Sequence, residues 1–155
     1  MNPDITTILA EGDVKVSVPA RCQRDVLARL AAHAAASFGV DERQIFEALL
    51  ERERLGSTGI GRGVAIPHAK ADVPGVRGVL FQLSRPIEFD AVDDVPVDLT
   101  FLLLAPEGDD AGHLKALSRV ARRLRTETMQ SALRGARSAG ALYAVISGEG
   151  AVEAA

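Results

Sequence analysis

The chain has one cysteine, Cys22, and no tryptophan in 155 residues. A lone thiol forms no internal disulfide, so packing alone must hold the fold, and this thiol usage fits a reducing, cytoplasmic setting. One tyrosine and five phenylalanines bring aromatics to only 4%. The core must therefore be built from Leu, Val, Ile and Ala. No apolar run reaches the roughly 18 residues that a membrane span needs, so membrane insertion is not expected. The opening "MNPDITTILAEGD" lacks the basic flank and apolar stretch of a secretory leader. A net charge of −3 leaves no basic surplus for nucleic acid or an anionic bilayer. Long linkers, low-complexity tracts and internal repeats are also missing.

What is present is ordinary for a globular protein: 47% hydrophobic and 25% charged residues. The length suits one domain, which we place over residues 1–155, with a core at about 13–148 and a frayed tail, "EGAVEAA". A short helical turn is expected at 4–10. "DVKVSV" (13–18) alternates like a strand. From Gln23 to Phe38, Val26, Leu27, Leu30, Ala34 and Phe38 recur at helical spacing, and Gly39 can close the helix. Asp41, with Gln44 three residues on, caps a second helix whose stripe is Ile45, Phe46, Leu49 and Leu50, ending at Gly56. "VAIPHA" is short and extended, "GVLFQLS" (78–84) is a strand, and the almost continuously apolar "VDLTFLLLA" (97–105) suits a central strand covered on both faces. Three helices follow at 112–125, 127–134 and 138–147, the first with Leu114, Leu117, Val120, Ala121 and Leu124 on one side. Strands mixed with flanking helices predict one α/β domain with a sheet covered on both faces.

Between the second helix and "VAIPHA" lies the most unusual stretch, "GSTGIGRGVAIPHAK". Gly56, Gly59, Gly61 and Gly63 fall within eight positions. Glycine loops often receive phosphate because no Cβ blocks the approach to their amides. The familiar versions do not fit. No Lys-Ser or Lys-Thr pair follows, as a P-loop requires. A helix precedes the glycines and a strand follows, the reverse of a dinucleotide fingerprint. No kinase catalytic loop or DFG sequence appears. A nucleotide site is not expected. On the glycines alone a surface turn is the simpler reading. Ser57 and Thr58 add hydroxyls, however, and Pro67 stiffens the chain and removes a backbone donor immediately before His68.

Of the three histidines, His33 sits in "LAAHAAA" and reads as structural. His68 and His113 stand at element boundaries, His113 opening a helix whose N-terminus favours anions. No HxH, HExxH or Cys/His cluster points to a metal, no G-x-S-x-G elbow to a hydrolase, and no cofactor is expected. Histidine as nucleophile remains: a neutral imidazole attacks with one nitrogen while a hydrogen bond from the other fixes the tautomer.

"RERLGSTGIGRGVAIPHAK", "PIEFDAVDDVPVDLTFLLLAPEG" and "HLKALSRVARRL" together resemble the IIA component of the bacterial phosphoenolpyruvate-dependent phosphotransferase system, of the fructose/mannitol type and closest to its nitrogen-regulatory branch. The resemblance runs from about residue 21 to 148 and is most specific at the glycine loop and "IPH". It implies a three-layer α/β/α sandwich with a mixed sheet. It implies that His68 accepts the phosphoryl group, that His113 stabilises it, and that Arg52 lies close by, although by its neighbours alone Arg52 reads as a solvated charge. Gly56, Ser57, Thr58, Gly59, Gly61 and Gly63 would form the phosphoryl-binding loop. The implied activity is a phosphotransferase-type carrier acting through phosphohistidine, not a nucleotide-dependent kinase. The donor would be an HPr-type phosphocarrier, and the phosphorylation state would regulate partner proteins. The alternative is a sugar-specific IIA that passes the group to a fructose- or mannitol-type transporter domain, and a third reading is a passive anion-binding module. Ala69 stands where many relatives carry glycine.

Two further surfaces are expected to serve partners. Lys115, Arg119 and Arg122, with Arg123 and Arg125, read either as a solvated helix face or as a basic rim near His113. Ile60 and Val64 are either apolar contacts beside the loop or core residues alternating with glycine.

Overall fold

The fold is that of a computed structural model, which describes residues 4–148. The expected tail at 149–155 lies outside the described residues. The elements run α1 (Asp4–Ile8), a 3₁₀ turn (Glu11–Asp13), β1 (Val14–Val18), α2 (Gln23–Phe38), α3 (Glu42–Arg54), β2 (Gly59–Gly61), β3 (Val64–Ala65), β4 (His68–Ala71), β5 (Arg77–Ile87), β6 (Val97–Pro106), α4 (Asp110–Leu124), α5 (Glu127–Gly135) and α6 (Ala139–Ser147).

The helix limits follow local chemistry. Asp41, Asp109, Thr126 and Ser138 each accept a backbone N–H three residues on, so α3, α4, α5 and α6 all begin at a side-chain cap. Gly39 ends α2 in a left-handed conformation, its N–H on the Ala35 carbonyl.

The sheet is mixed and six-stranded, in the order β1-β5-β6-β3-β2, with β4 also on β6. β6 is antiparallel to β5 and parallel to β3 and β4; β1 is parallel to β5. The alternating side chains of β6 feed two cores. Val97, Leu102 and Leu104 pack with α2 and α3 through Val26, Leu27, Leu30, Ile45 and Leu49. Leu99, Phe101 and Leu103 pack with α1, α4, α5 and α6 through Ile5, Val120, Leu133, Leu142 and Ile146. This is the three-layer α/β/α sandwich, and the near-continuous apolar run of β6 follows from cover on both faces.

Three local expectations change. β5 runs on to Ile87, because its antiparallel pairing with β6 continues through Ile87 and Val97 after an irregularity. The glycine loop is partly a hairpin: β2 and β3 are antiparallel and joined by Arg62 and Gly63, both with positive φ (59° and 83°). A two-residue turn of that hand is the connection that matches strand twist, and it needs a glycine more than a flexible loop does. In α4, Leu114 does not join the buried stripe. It is 68% exposed, and Ala116 takes the inward place.

Candidate active site

Residues 64–71 form two strands along β6, broken at Ile66 and Pro67. The register is kept across the break: Ala65 faces Thr100 and His68 faces Leu103. Pro67 has no N–H to give the ladder, while its carbonyl accepts from Leu103 N at 2.9 Å. The carbonyl of Ile66 turns instead to the His68 ring, whose Nδ1 lies 2.7 Å away. A carbonyl only accepts, so Nδ1 carries the proton and Nε2 presents its lone pair.

Two elements converge on that ring. From the last turn of α3, Arg52 Nε donates to His68 Nε2 at 3.1 Å, while its Nη1 holds the Gly56 carbonyl at 2.8 Å. From the first turns of α4 comes His113, its ring edge-on to that of His68 with centroids 5.3 Å apart and planes at 86°. α4 begins at Asp110, two residues before the expected start at 112, and the His113 N–H bonds the Asp109 carbonyl. His113 therefore offers its ring to the site, and its own amide is committed to the helix.

The electrostatics favour the neutral form of both rings. Burial is the main cause that moves the His68 pKa below its ordinary 6.5; the Ile66 hydrogen bond opposes it, and the charges of Arg52 and His113 add to it. His113 is also lowered, by burial first and then by Lys70, against the opposing pull of Asp110 and Asp109. Lys70 lies two residues beyond His68 on the same face of β4 and pairs with Asp110.

His68, His113 and Arg52 thus come together from three elements. The loop residues divide. Gly56 is tied to Arg52, as above. The Ser57 hydroxyl donates to the Phe89 carbonyl at 2.6 Å and accepts from Gly59 N at 3.0 Å. The Thr58 hydroxyl and N–H both go to the Glu53 carboxylate. Gly59 packs so close to Ala91 that an added Cβ would lie 2.8 Å from the Ala91 methyl. Gly61 and Gly63 belong to the hairpin turn, beside Asp93, Asp98 and Arg134. Four residues separate Gly63 from His68, five steps or roughly 16 Å of extended chain.

Other expectations change. Val64 is fully buried and Ile60 packs partly against the same core, so neither is an exposed apolar contact. The large apolar side chains exposed next to site residues are Leu55, 78% exposed, and Leu114. Arg123 is no part of a basic rim: it donates to the carbonyls of Ile146 and Gly148 and ties α4 to the end of α6. His33 bonds the buried Asp13 at 2.9 Å and lies edge-on to Phe81, a structural pairing. Sequence reasoning missed Glu53, Lys70 and Asp110. Only Lys70 had a signal, its same-face spacing from His68.

Among the described residues no group of three or more His, Cys, Asp or Glu could hold a metal, and no helix is long and apolar enough to cross a membrane.

Residues 7–149 match the family model described as "Phosphoenolpyruvate-dependent sugar phosphotransferase system, EIIA 2". The chain belongs to that IIA family. A nitrogen regulatory protein of Bradyrhizobium diazoefficiens is 46% identical over 143 residues, 92% of this chain and 94% of that protein. A nitrogen regulatory protein of Escherichia coli K12 is 40% identical over 144 residues, 92% of this chain and 88% of that protein. The crystal structure of the nitrogen regulatory protein IIA-Ntr from Neisseria meningitidis superposes with a TM-score of 0.85 at 31% identity, covering 92% of this IIA chain and 98% of that one. These three relatives are all nitrogen regulatory proteins.

Proposed function

We propose that this IIA chain is a histidine phosphocarrier: His68 Nε2 takes a phosphoryl group from an HPr-type carrier, and the phosphorylation state of His68 decides which partner proteins dock. The observation that carries this reading is the Nδ1–H bond to the Ile66 carbonyl, which leaves the lone pair on the outward nitrogen. In the reaction the Nε2 lone pair attacks the phosphorus of the carrier's phosphohistidine. The new N–P bond forms as the donor's N–P bond breaks, and that electron pair returns to the donor imidazole. Positive charge builds on the His68 ring, where Nδ1–H remains on the Ile66 oxygen. Arg52 must leave the lone pair it occupies, and its guanidinium then faces the incoming phosphoryl oxygens. His113 donates from its ring to the same oxygens. Such preorganised donors act mainly on the charge of the transition state and product.

Bound phosphoryl brings about −1.5 to −2 charges to a site that was neutral at both imidazoles, by analogy with other phosphorylated side chains. A change of that size on a partner surface is the physical basis of a switch. The family description names a sugar phosphotransferase system, so delivery of the group to a transporter domain is the second reading.

The test is incubation with a phosphorylated HPr-type carrier. We expect one acid-labile, base-stable phosphoryl group, absent in His68→Ala and not formed from ATP. Acid-stable label, or label that survives the substitution, would defeat the assignment. An unlabelled parent protein would leave the passive anion-binding reading. Onward transfer to a transporter domain would favour the sugar reading.

A further inference from the structure

The last turn of α3 grips both edges of the acceptor ring, and only one grip is direct. Arg52 reaches Nε2. Its chain neighbour Glu53 reaches the other edge through two backbone units. The Glu53 carboxylate accepts from Thr58 N–H at 3.1 Å, from the Thr58 hydroxyl, and from Gln23 Nε2 at 3.0 Å. The Thr58 carbonyl accepts from Ile66 N–H at 3.0 Å, and the Ile66 carbonyl accepts from His68 Nδ1–H.

This relay matters because Ile66 stands at the break between β3 and β4, outside the regular pairing with β6. Thr58 is what holds its N–H, and Glu53 is what holds Thr58. Thr58 is buried at 4% exposure, so water does not readily replace the carboxylate. Burial pushes the Glu53 carboxyl above its ordinary 4.5, against the pull of Thr58, Arg52 and Gln23. A carboxylate kept where its charge is disfavoured, with three donors on it, has a use other than packing.

We infer that Glu53 is a positioning residue which, through Thr58 and Ile66, fixes the orientation and tautomer of the His68 imidazole. The inference rests on the proposed role of His68 as acceptor. Without the relay the Ile66 unit is free to rotate, and the ring can place its proton on Nε2, where it blocks attack.

The test compares Glu53→Leu, which keeps bulk and removes every acceptor, with Glu53→Gln, whose amide can still accept from Thr58 N–H. Two quantities are read: the ¹⁵N shifts of the His68 ring, which report the tautomer, and the kcat and KM for phosphoryl acceptance from the HPr-type carrier. In Glu53→Leu we expect mixed tautomers and a kcat lower by about tenfold to a hundredfold, as loss of near-attack geometry gives. KM should stay unchanged, and Glu53→Gln should restore most of both properties. Should Glu53→Leu fail to fold, Thr58→Val deletes only the hydroxyl arm and should show the same signature, more weakly. A folded Glu53→Leu or Thr58→Val with the parent tautomer and the parent kcat would overturn the inference. An unlabelled parent would instead overturn the acceptor role of His68, and the ring shifts would still decide whether Glu53 sets the tautomer.

Discussion

At His68 two hydrogen bonds of opposite sense divide the ring, the Ile66 carbonyl taking the Nδ1 proton and Arg52 donating to the Nε2 lone pair. Attack requires the neutral ring, and its pKa lies below 6.5 because of burial first and of Arg52 and His113 next. A lowered pKa keeps the reactive form populated into mild acid. We expect the midpoint of the acidic limb of the acceptance rate to lie below pH 6.5, where an ordinary imidazole would be half protonated. Arg52→Ala removes a cation and opens the site to water, and both effects raise the ring pKa. Its acidic limb should therefore move to higher pH, and its plateau should drop by about tenfold to a thousandfold with the loss of one charged donor. A limb that stays in place under NMR titration of the ring would show that Arg52 has no electrostatic role. His113→Ala should slow transfer and shorten the life of the phosphorylated form, yet still permit labelling, because in the proposed reaction His113 donates to the group and does not carry it. Equal lifetimes in a chase experiment would reduce His113 to a helix residue.

At the scale of elements, β6 supports both cores and the site. Its alternation sends Leu99, Phe101 and Leu103 one way and Leu102 and Leu104 the other, while Thr100 falls on the second face with a fully buried hydroxyl that has no hydrogen-bond partner among the described residues. A buried orphan hydroxyl costs about 1–3 kcal/mol, and valine has nearly the same shape. Thr100→Val should therefore raise stability by about 1 kcal/mol in urea unfolding, with acceptance by His68 unchanged. A loss of stability would reveal a partner for the hydroxyl. The same strand positions the chemistry: β4 runs beside its end, the turn after it leads into α4, and α3 packs against β4. His68, His113 and Arg52 are thus brought together by three rigid elements.

For the molecule as a whole, the site opens on a surface where Leu55 and Leu114 stand exposed, each adjacent in sequence to a residue of the site: Leu55 to Gly56 and Leu114 to His113. Neither side chain packs in the core, and under the proposed function both are candidates to meet the carrier. We expect the double substitution Leu55→Ser, Leu114→Ser to raise the KM for a phosphorylated HPr-type carrier by about tenfold to a hundredfold, a loss of some 1.4–2.7 kcal/mol of contact, with little change in kcat. A regulated partner that docks on the same face should lose affinity in the same variant and compete with the carrier. Unchanged KM would move the docking surface elsewhere.

Helix limits, the apolar central strand and the stiff presentation of His68 were legible in the sequence because each depends on local chemistry. Asp41 and Gly39 bound helices through their own backbone preferences, β6 reads as buried on both faces from its composition, and Pro67 beside His68 marks a stiff, presented imidazole whatever surrounds it. Boundary position singled out His113 beside His68, and the family resemblance added Arg52, which its neighbours alone would have left as a solvated charge. Long-range partners were not legible. That Thr58 spends its hydroxyl on Glu53, that Arg123 closes α6, and that Leu114 faces solvent while Ala116 turns inward all depend on which elements meet. Sequence by itself determined the elements and singled out His68 as the proposed acceptor, since backbone propensity and side-chain chemistry act within a few residues. Only the tertiary structure decided which nitrogen of His68 is free, because that depends on a carbonyl turned out of the sheet at Ile66 and on a guanidinium delivered from another helix.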